Sequence, residues 1–200
     1  MGSMIKIIFV RTAPYEYNLF GKSLYESFDL VARKLYEPTL QRKLSLPNLP
    51  KPDTIFCSPR KRSIETAKAI KQKFNPKSEL RVTTLLREID FSMSQFIAKA
   101  EFENVMLAIA RTKFIQAFAR NKLDEKKEAV RARIDKLLGL VRKKSGTVLC
   151  CSHGFFMKLV QIYLKDKTIF AKPKKLVKLF EPGKKPFDFL EYFVTEIDET

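Results

Sequence analysis

With 200 residues, 45% of them apolar, the chain can bury one sizeable core and is too short for two comfortable ones. Its 39 basic residues against 22 acidic give a net charge of +17, a field that attracts polyanions and anionic metabolites alike and does not choose between them. There is no run of about 18 apolar residues, and Ile5 to Val10, interrupted by Lys6, is too short for a signal core, so a cytoplasmic protein without membrane contact is expected.

Met1-Gly2-Ser3 stand ahead of a second methionine, Met4, and read as an expression scar, leaving 4–200 as one domain. Ile5 to Val10, rich in β-branched residues and followed by Arg11, predicts a buried first strand. Lys22 to Leu35 has helical period until Pro38 stops it, and from Pro38 to Pro52 four prolines mark a surface connection. Thr54 to Cys57 predicts a second strand, and Ile64, Ala67, Ile70 and Phe74 recur behind it at helical spacing. Arg81 to Thr84 is a third short strand. Ser92 to Arg120 and Leu123 to Lys144 form two long amphipathic stretches with their break at Asn121. Thr147 to Ser152 is a strand, Gly154 to Leu164 its following helix, Pro173 to Pro186 a lysine-rich loop turning at Pro182-Gly183, and Phe189 to Ile197 the final strand. Strands alternating with helices imply an α/β fold, a three-layer α/β/α sandwich whose mainly parallel sheet has helices on both faces.

Cys57, Cys150 and Cys151 lack metal-ligand spacing and read as free thiols of a reducing compartment. No metal and no cofactor is expected. The lysine clusters at 126–127, 143–144, 172–175 and 184–185 lack the aromatic context of a nucleic-acid module and read as solvated surface.

Ligands of a parallel sheet gather at the carboxyl ends of its strands, where loops and helix N-termini present donors. Arg11 ends the first strand here, Arg60 and Arg62 follow the second in Ser58-Pro59-Arg60-Lys61-Arg62, and the sole histidine follows a later one in Ser152-His153-Gly154. A guanidinium fork makes two charge-assisted hydrogen bonds to phosphate, so arginines at two strand ends joined by a histidine at a third define an anion site. Arg60 is expected to face solvent. Ser58 and Cys57 have no recognisable base partner and are read as structural.

These segments fall in the order of the histidine phosphatase superfamily (phosphoglycerate mutase-like proteins), which the chain resembles along nearly its whole length. The second motif of that family, Ser-x-x-x-Arg-x-x-x-Thr-Ala, is met in full by Ser58 through Arg62 and Thr66 to Ala67. The fourth, an apolar strand into Ser-His-Gly, is Val148 to Gly154; the third is similar to Leu86-Arg87-Glu88, with Asp90 as an alternative carboxylate. In the first, Arg11 and Asn18 match the family pattern and Tyr17 stands where tryptophan is frequent, but Thr12 occupies the place of the nucleophilic histidine, and Ala13 and Pro14 also depart. The stretch 92–144 resembles the family's helical cap and return helix.

The resemblance implies that Arg11, Asn18, Arg62, His153 and Gly154 surround a phosphoryl group and that Glu88 protonates the leaving oxygen. With Thr12 at the nucleophile's position, turnover is expected to be weak or absent, because a hydroxyl without an adjacent base is a poor nucleophile and a phosphothreonine ester resists hydrolysis. Three readings follow: a catalytically impaired relative that binds a phosphorylated small molecule or phosphoprotein; a weak phosphomonoester hydrolase in which water attacks directly; and an interaction protein whose basic surface takes nucleic acid or another polyanion. A substitution introduced into an active enzyme would also leave Thr12, but the changes at Ala13 and Pro14 favour natural divergence. A monomer or a homodimer is expected.

Overall fold

A computed structural model describes residues 4–16, 21–41, 44–181 and 184–198. Asn18, Tyr17, the 1–3 segment and the Pro182-Gly183 turn lie outside the described residues.

Strand β1 (Met4–Arg11) is followed by the two-residue β2 (Tyr15–Glu16), helix α1 (Leu24–Ala32) and β3 (Thr39–Leu40), which pairs antiparallel with β2. Then come β4 (Thr54–Cys57), α2 (Lys61–Phe74) and β5 (Glu79–Val82). A helical segment holds α3 (Lys99–Asn104), α4 (Leu107–Ala119) and α5 (Lys127–Val141), after which β6 (Thr147–Ser152), α6 (Gly154–Lys165), α7 (Pro173–Leu179) and β7 (Tyr192–Asp198) complete the chain. The main sheet has the order β5-β4-β6-β1-β7; its first four strands are parallel, and β7 runs antiparallel to β1 along the edge.

Successive strand residues point to opposite faces, and both faces are covered. Ile5, Ile7, Phe9, Phe56, Val148 and Cys150 enter the larger core with α4, α5, α6 and α7, while Ile8, Val10, Ile55, Leu149 and Cys151 pack with Ala67 and Ile70 of α2. This is the expected three-layer α/β/α arrangement. Cys150 and Cys151 thus belong to different cores; all three cysteines are free, and burial pushes the Cys57 thiol up to about 11 and Cys151 up to about 12.

Several expected elements move. The third strand is Glu79–Val82, because Thr83 caps a 3-10 turn at Thr84–Leu86. The final strand starts at Tyr192, since Leu190 takes φ 61°, a left-handed conformation that interrupts extended backbone. Helix α1 begins where Ser23 and Glu26 form a reciprocal capping box. The stretch 92–120 is broken into a 3-10 turn, α3 and α4, because Val105 and Met106 are both extended (ψ 155° and 149°). The bend brings Phe102 against Met93, Ile97 and Ala110 in a satellite core. Asn121 is left-handed (φ 56°), and its Oδ1 accepts the Lys127 N–H (2.9 Å) at the start of α5, so the break between the helices falls there as expected. The lysine-rich 173–186 segment is not all loop: Pro173 sits at the first helical position, where its missing N–H costs nothing, and Leu176 of α7 is fully buried against the core. No helix among the described residues is long and apolar enough to cross a membrane.

Candidate functional site

Small hydroxyls tie three strand ends together. The Ala13 N–H donates to the Thr66 hydroxyl (3.0 Å), which itself donates to the Arg62 carbonyl (2.7 Å), so the second motif's threonine pins the end of β1 to α2. Ser63 Oγ donates to the Cys151 carbonyl (3.0 Å) and accepts the Ser58 N–H (3.1 Å), linking β4 to β6. Ser152 Oγ donates to the Leu86 carbonyl (2.7 Å) and holds the loop carrying Glu88. The Thr12 N–H donates to the Ser152 carbonyl (3.0 Å), which closes the ring of strand ends.

Inside this ring lies a cavity of about 390 Å³ whose lining includes Arg11, Thr12, Arg62, Glu88, His153 and Gly154. Except for Asn18, every residue expected at the phosphate site therefore faces one space. Thr12 is 1% exposed, and among the described residues its hydroxyl has no imidazole or carboxylate partner. Arg11 donates through Nη1 to the Phe187 carbonyl and lies over the Phe189 ring at 4.1 Å. Gly154 opens α6; a Cβ there would meet Arg11 Nε at 3.5 Å, ordinary contact, so space alone does not demand glycine.

His153 caps α6 and is 4% exposed. Its Nδ1 makes a long contact with Arg62 Nη2 (3.5 Å) and its Nε2 lies 2.9 Å from Ser58 Oγ. A guanidinium can only donate, so Nδ1 is the acceptor and Nε2 carries the proton towards Ser58. Burial, followed by the neighbouring Arg62, Arg60 and Arg11, holds the imidazole pKa well below its ordinary value, and the ring is neutral at physiological pH. Ser58 therefore does have a histidine beside it, contrary to expectation. It is fully buried and off the cavity wall, so it orients the ring and has no route to a ligand.

Glu88 fills the N-terminal end of α6. Its Oε1 accepts the N–H groups of Ile89 (3.0 Å) and Phe156 (2.9 Å), and its Oε2 accepts that of Phe155 (3.2 Å). Burial outweighs these donors and raises its pKa, which eases protonation, and Oε2 keeps one lone pair for a proton. Asp90 also lines the cavity but is engaged by Lys34 (2.8 Å) and Arg87 (3.2 Å).

Arg60 corrects the expectation that it faces solvent. Its side chain is half-buried on the cavity wall, donating to Glu37 Oε2 (3.1 Å) and the Val31 carbonyl (2.6 Å). Glu37 Oε1 accepts from Arg62 Nη1 (2.8 Å), so one carboxylate bridges both arginines. Arg62 is 5% exposed, and its Nε is buried without a partner among the described residues.

The family model described as histidine phosphatase superfamily (branch 1) matches residues 45–173, well over half of the chain. The chain belongs to that superfamily. In a comparison of sequences, no curated protein matches it. Solved structures do. Phosphoglycerate mutase from Bacillus anthracis str. Sterne is similar with a TM-score of 0.57 at 13% identity, covering 99% of this chain and 90% of that one. Phosphoserine phosphatase from Entamoeba histolytica, solved as a histidine-to-alanine mutant in complex with phosphoserine, gives 0.53 at 20%, covering 95% and 89%. Mycobacterial glucosyl-3-phosphoglycerate phosphatase, complexed with VO3, gives 0.53 at 16%, covering 94% and 90%. At these identities the likeness is one of fold.

The superfamily match includes the second and fourth motifs and begins after Arg11 and Thr12, so the first motif rests on where β1 places those residues. Two site residues lie outside the family motifs. Glu37 precedes Pro38 in a stretch without periodicity, where nothing marks it as a partner for α2. Arg111 on α4 also lines the cavity; burial and the charge of Arg11 lower its pKa, and it is one of 39 basic residues that the sequence alone does not distinguish.

Proposed function

We propose that this histidine phosphatase relative binds a phosphoryl group or phosphomonoester between Arg11, Arg62 and His153, with Asn18 and Gly154 assisting, and turns it over weakly or not at all because Thr12 stands at the nucleophile's position. One observation carries the reading: Arg11, Arg62, His153 and Thr12 converge on a single cavity, and the Arg62 guanidinium that lines it keeps a buried Nε without an acceptor among the described residues. A buried, unpaired donor costs about 1–3 kcal/mol, more when charged, so this guanidinium gains from an anion that draws its fork into the cavity. The Entamoeba relative, solved with phosphoserine as a histidine-to-alanine mutant, supports the separation of binding from turnover. The 4–200 segment then acts as one domain, with 92–144 as a cap over the site.

Neutral imidazole attacks phosphorus readily and leaves a labile phosphoramidate. Among the described residues Thr12 has no base partner to take its proton, and His153, among cations and already an acceptor for Arg62, is poorly placed to serve as one. For scale, loss of a protease nucleophile costs on the order of 10⁶ in rate. The second reading, direct attack by water with Glu88 as the acid, draws support from the burial that raises Glu88. The natural ligand in either case is a phosphorylated small molecule or a phosphoprotein.

Thermal unfolding in phosphate tests binding. With a Kd of about 1 mM, phosphate at about 10 mM stabilises by about 1.4 kcal/mol, a rise of roughly 3–5 °C in Tm for a chain of this size. The rise is expected in this protein and absent in Arg62→Ala. No rise with either phosphate or phosphomonoesters contradicts the proposal.

A further inference from the structure

The phosphoryl end of the cavity is only part of its lining. In the same lining, Phe91, Phe96, Phe114 and Phe155 form a continuous aromatic wall, with ring centroids 4.3 to 5.8 Å apart from one neighbour to the next, and Phe28 and Phe102 add a further edge contact at 6.1 Å. Hydroxyls or a second carboxylate set against such a wall lose their water without gaining partners, whereas a planar ring gains area and edge-to-face contacts.

The charged groups around the cavity are paired unequally. Arg60 and Arg62 share Glu37, and Arg87 and Lys34 share Asp90. Arg11 and Arg111 both line the cavity and have no ion pair among the described residues; Arg11 donates to the Phe187 carbonyl, and Arg111 feels the charge of Arg11 and, in the opposite sense, that of Asp188. Two guanidinium groups without an ion pair among the described residues, lining the same cavity as the phenylalanine wall, suit one dianion attached directly to one apolar ring.

We infer that the ligand is an aryl phosphomonoester: its phosphoryl group sits between Arg11, Arg62 and His153, Arg111 closes on the same group from α4, and its ring lies against the phenylalanine wall. This rests on the phosphoryl-binding reading above and adds the class of the organic body and Arg111 as a specificity residue. The aryl phosphate has two sources, a free small molecule or a phosphotyrosine side chain.

Calorimetric titration of the full chain with inorganic phosphate, 3-phosphoglycerate, phenyl phosphate and a phosphotyrosyl pentapeptide separates the outcomes. Phenyl phosphate is expected to bind at least tenfold more tightly than inorganic phosphate, about 1.4 kcal/mol, with 3-phosphoglycerate no better than phosphate. The ratio of phenyl phosphate to phosphate affinity is expected to fall towards one in Phe96→Ala and, independently, in Phe28→Ala; because it is a ratio, a general loosening of the fold does not produce it. A peptide that binds as tightly as phenyl phosphate assigns the ligand to protein; a peptide excluded while phenyl phosphate binds assigns it to a small molecule. Phosphate binding without an aryl preference, or a preference for 3-phosphoglycerate, overturns this inference and leaves the phosphoryl site standing. Failure of every ligand, phosphate included, overturns the site itself.

Discussion

Two charge clusters of this protein are built from the same side chains and differ in whether they are closed. In the first, Arg133 of α5 donates from Nε and Nη2 to the two oxygens of Glu125 (3.0 Å each) and from Nη1 to the carbonyls of Leu85 (3.1 Å) and Arg87 (2.6 Å), while Phe156 covers its flat face at 4.2 Å. Arg87 adds a second pair to Glu125 at 3.1 Å. In the second, Arg62 lines a cavity, shares Glu37 with Arg60, touches His153, and keeps a buried Nε with no acceptor among the described residues. Burial alone does not distinguish a structural clamp from a binding site. A donor left over on a side chain that lines the cavity does, since Arg142 Nε is equally buried without a partner among the described residues and Arg142 does not line it.

The largest effect is expected at the closed cluster, which fixes the loop carrying Glu88. Glu125→Ala strands the buried Arg133 guanidinium and leaves Arg87 with Asp90 alone, and is expected to lower stability by about 3–5 kcal/mol, measured by denaturant unfolding. A loss below about 1 kcal/mol means that the cluster behaves as an exposed pair does and that the loop is held by other contacts. At the open cluster, Glu37→Gln removes the carboxylate that bridges Arg60 and Arg62. Its expected result is a smaller stability loss, about 1–2 kcal/mol, together with phosphate affinity raised by roughly tenfold as a competing negative charge leaves. Weaker phosphate binding in this variant shows instead that Glu37 positions the Arg62 fork.

A smaller effect follows from His153. Its folded pKa lies below the roughly 6.5 of the unfolded chain, so between those two values the unfolded state holds more protons and stability rises with pH. The contribution is complete above about pH 6.5 and is lost as the pH falls below it, by about 1.4 kcal/mol per pH unit until the folded pKa is reached. His153→Gln is expected to flatten that part of the stability profile. An unchanged slope shows that the imidazole is not held neutral.

The contrast between the clusters also explains what the sequence revealed. β1, β4 and β6 are short apolar runs buried on both faces, and α2 and α6 carry motif residues at fixed spacing, so their existence and order could be read directly. Arg11, Arg62, His153 and Glu88 came with those motifs, and the cavity brings them together. Glu37 and Arg111 carry no local pattern. Each acquires its meaning from residues distant in sequence: Glu37 from α2, Arg111 from sharing a cavity with Arg11, and Glu125 and Arg133 from Arg87 and Leu85. Helix α7 was hidden because its lysines mimic a solvated loop, while the single buried Leu176 anchors it. The break at Val105 and Met106 was hidden because the apolar residues around it serve two cores, a requirement that one straight amphipathic helix cannot meet.

The most direct test of the central claim is phosphate release from phenyl phosphate by this protein, by Thr12→His and by His153→Ala, measured side by side. An intact phosphoryl site missing its nucleophile predicts that this protein releases no more than His153→Ala and that Thr12→His gains at least roughly 10³-fold. Release by the unaltered protein that equals Thr12→His and disappears in His153→Ala contradicts it, and assigns the chemistry to water directed by the retained site.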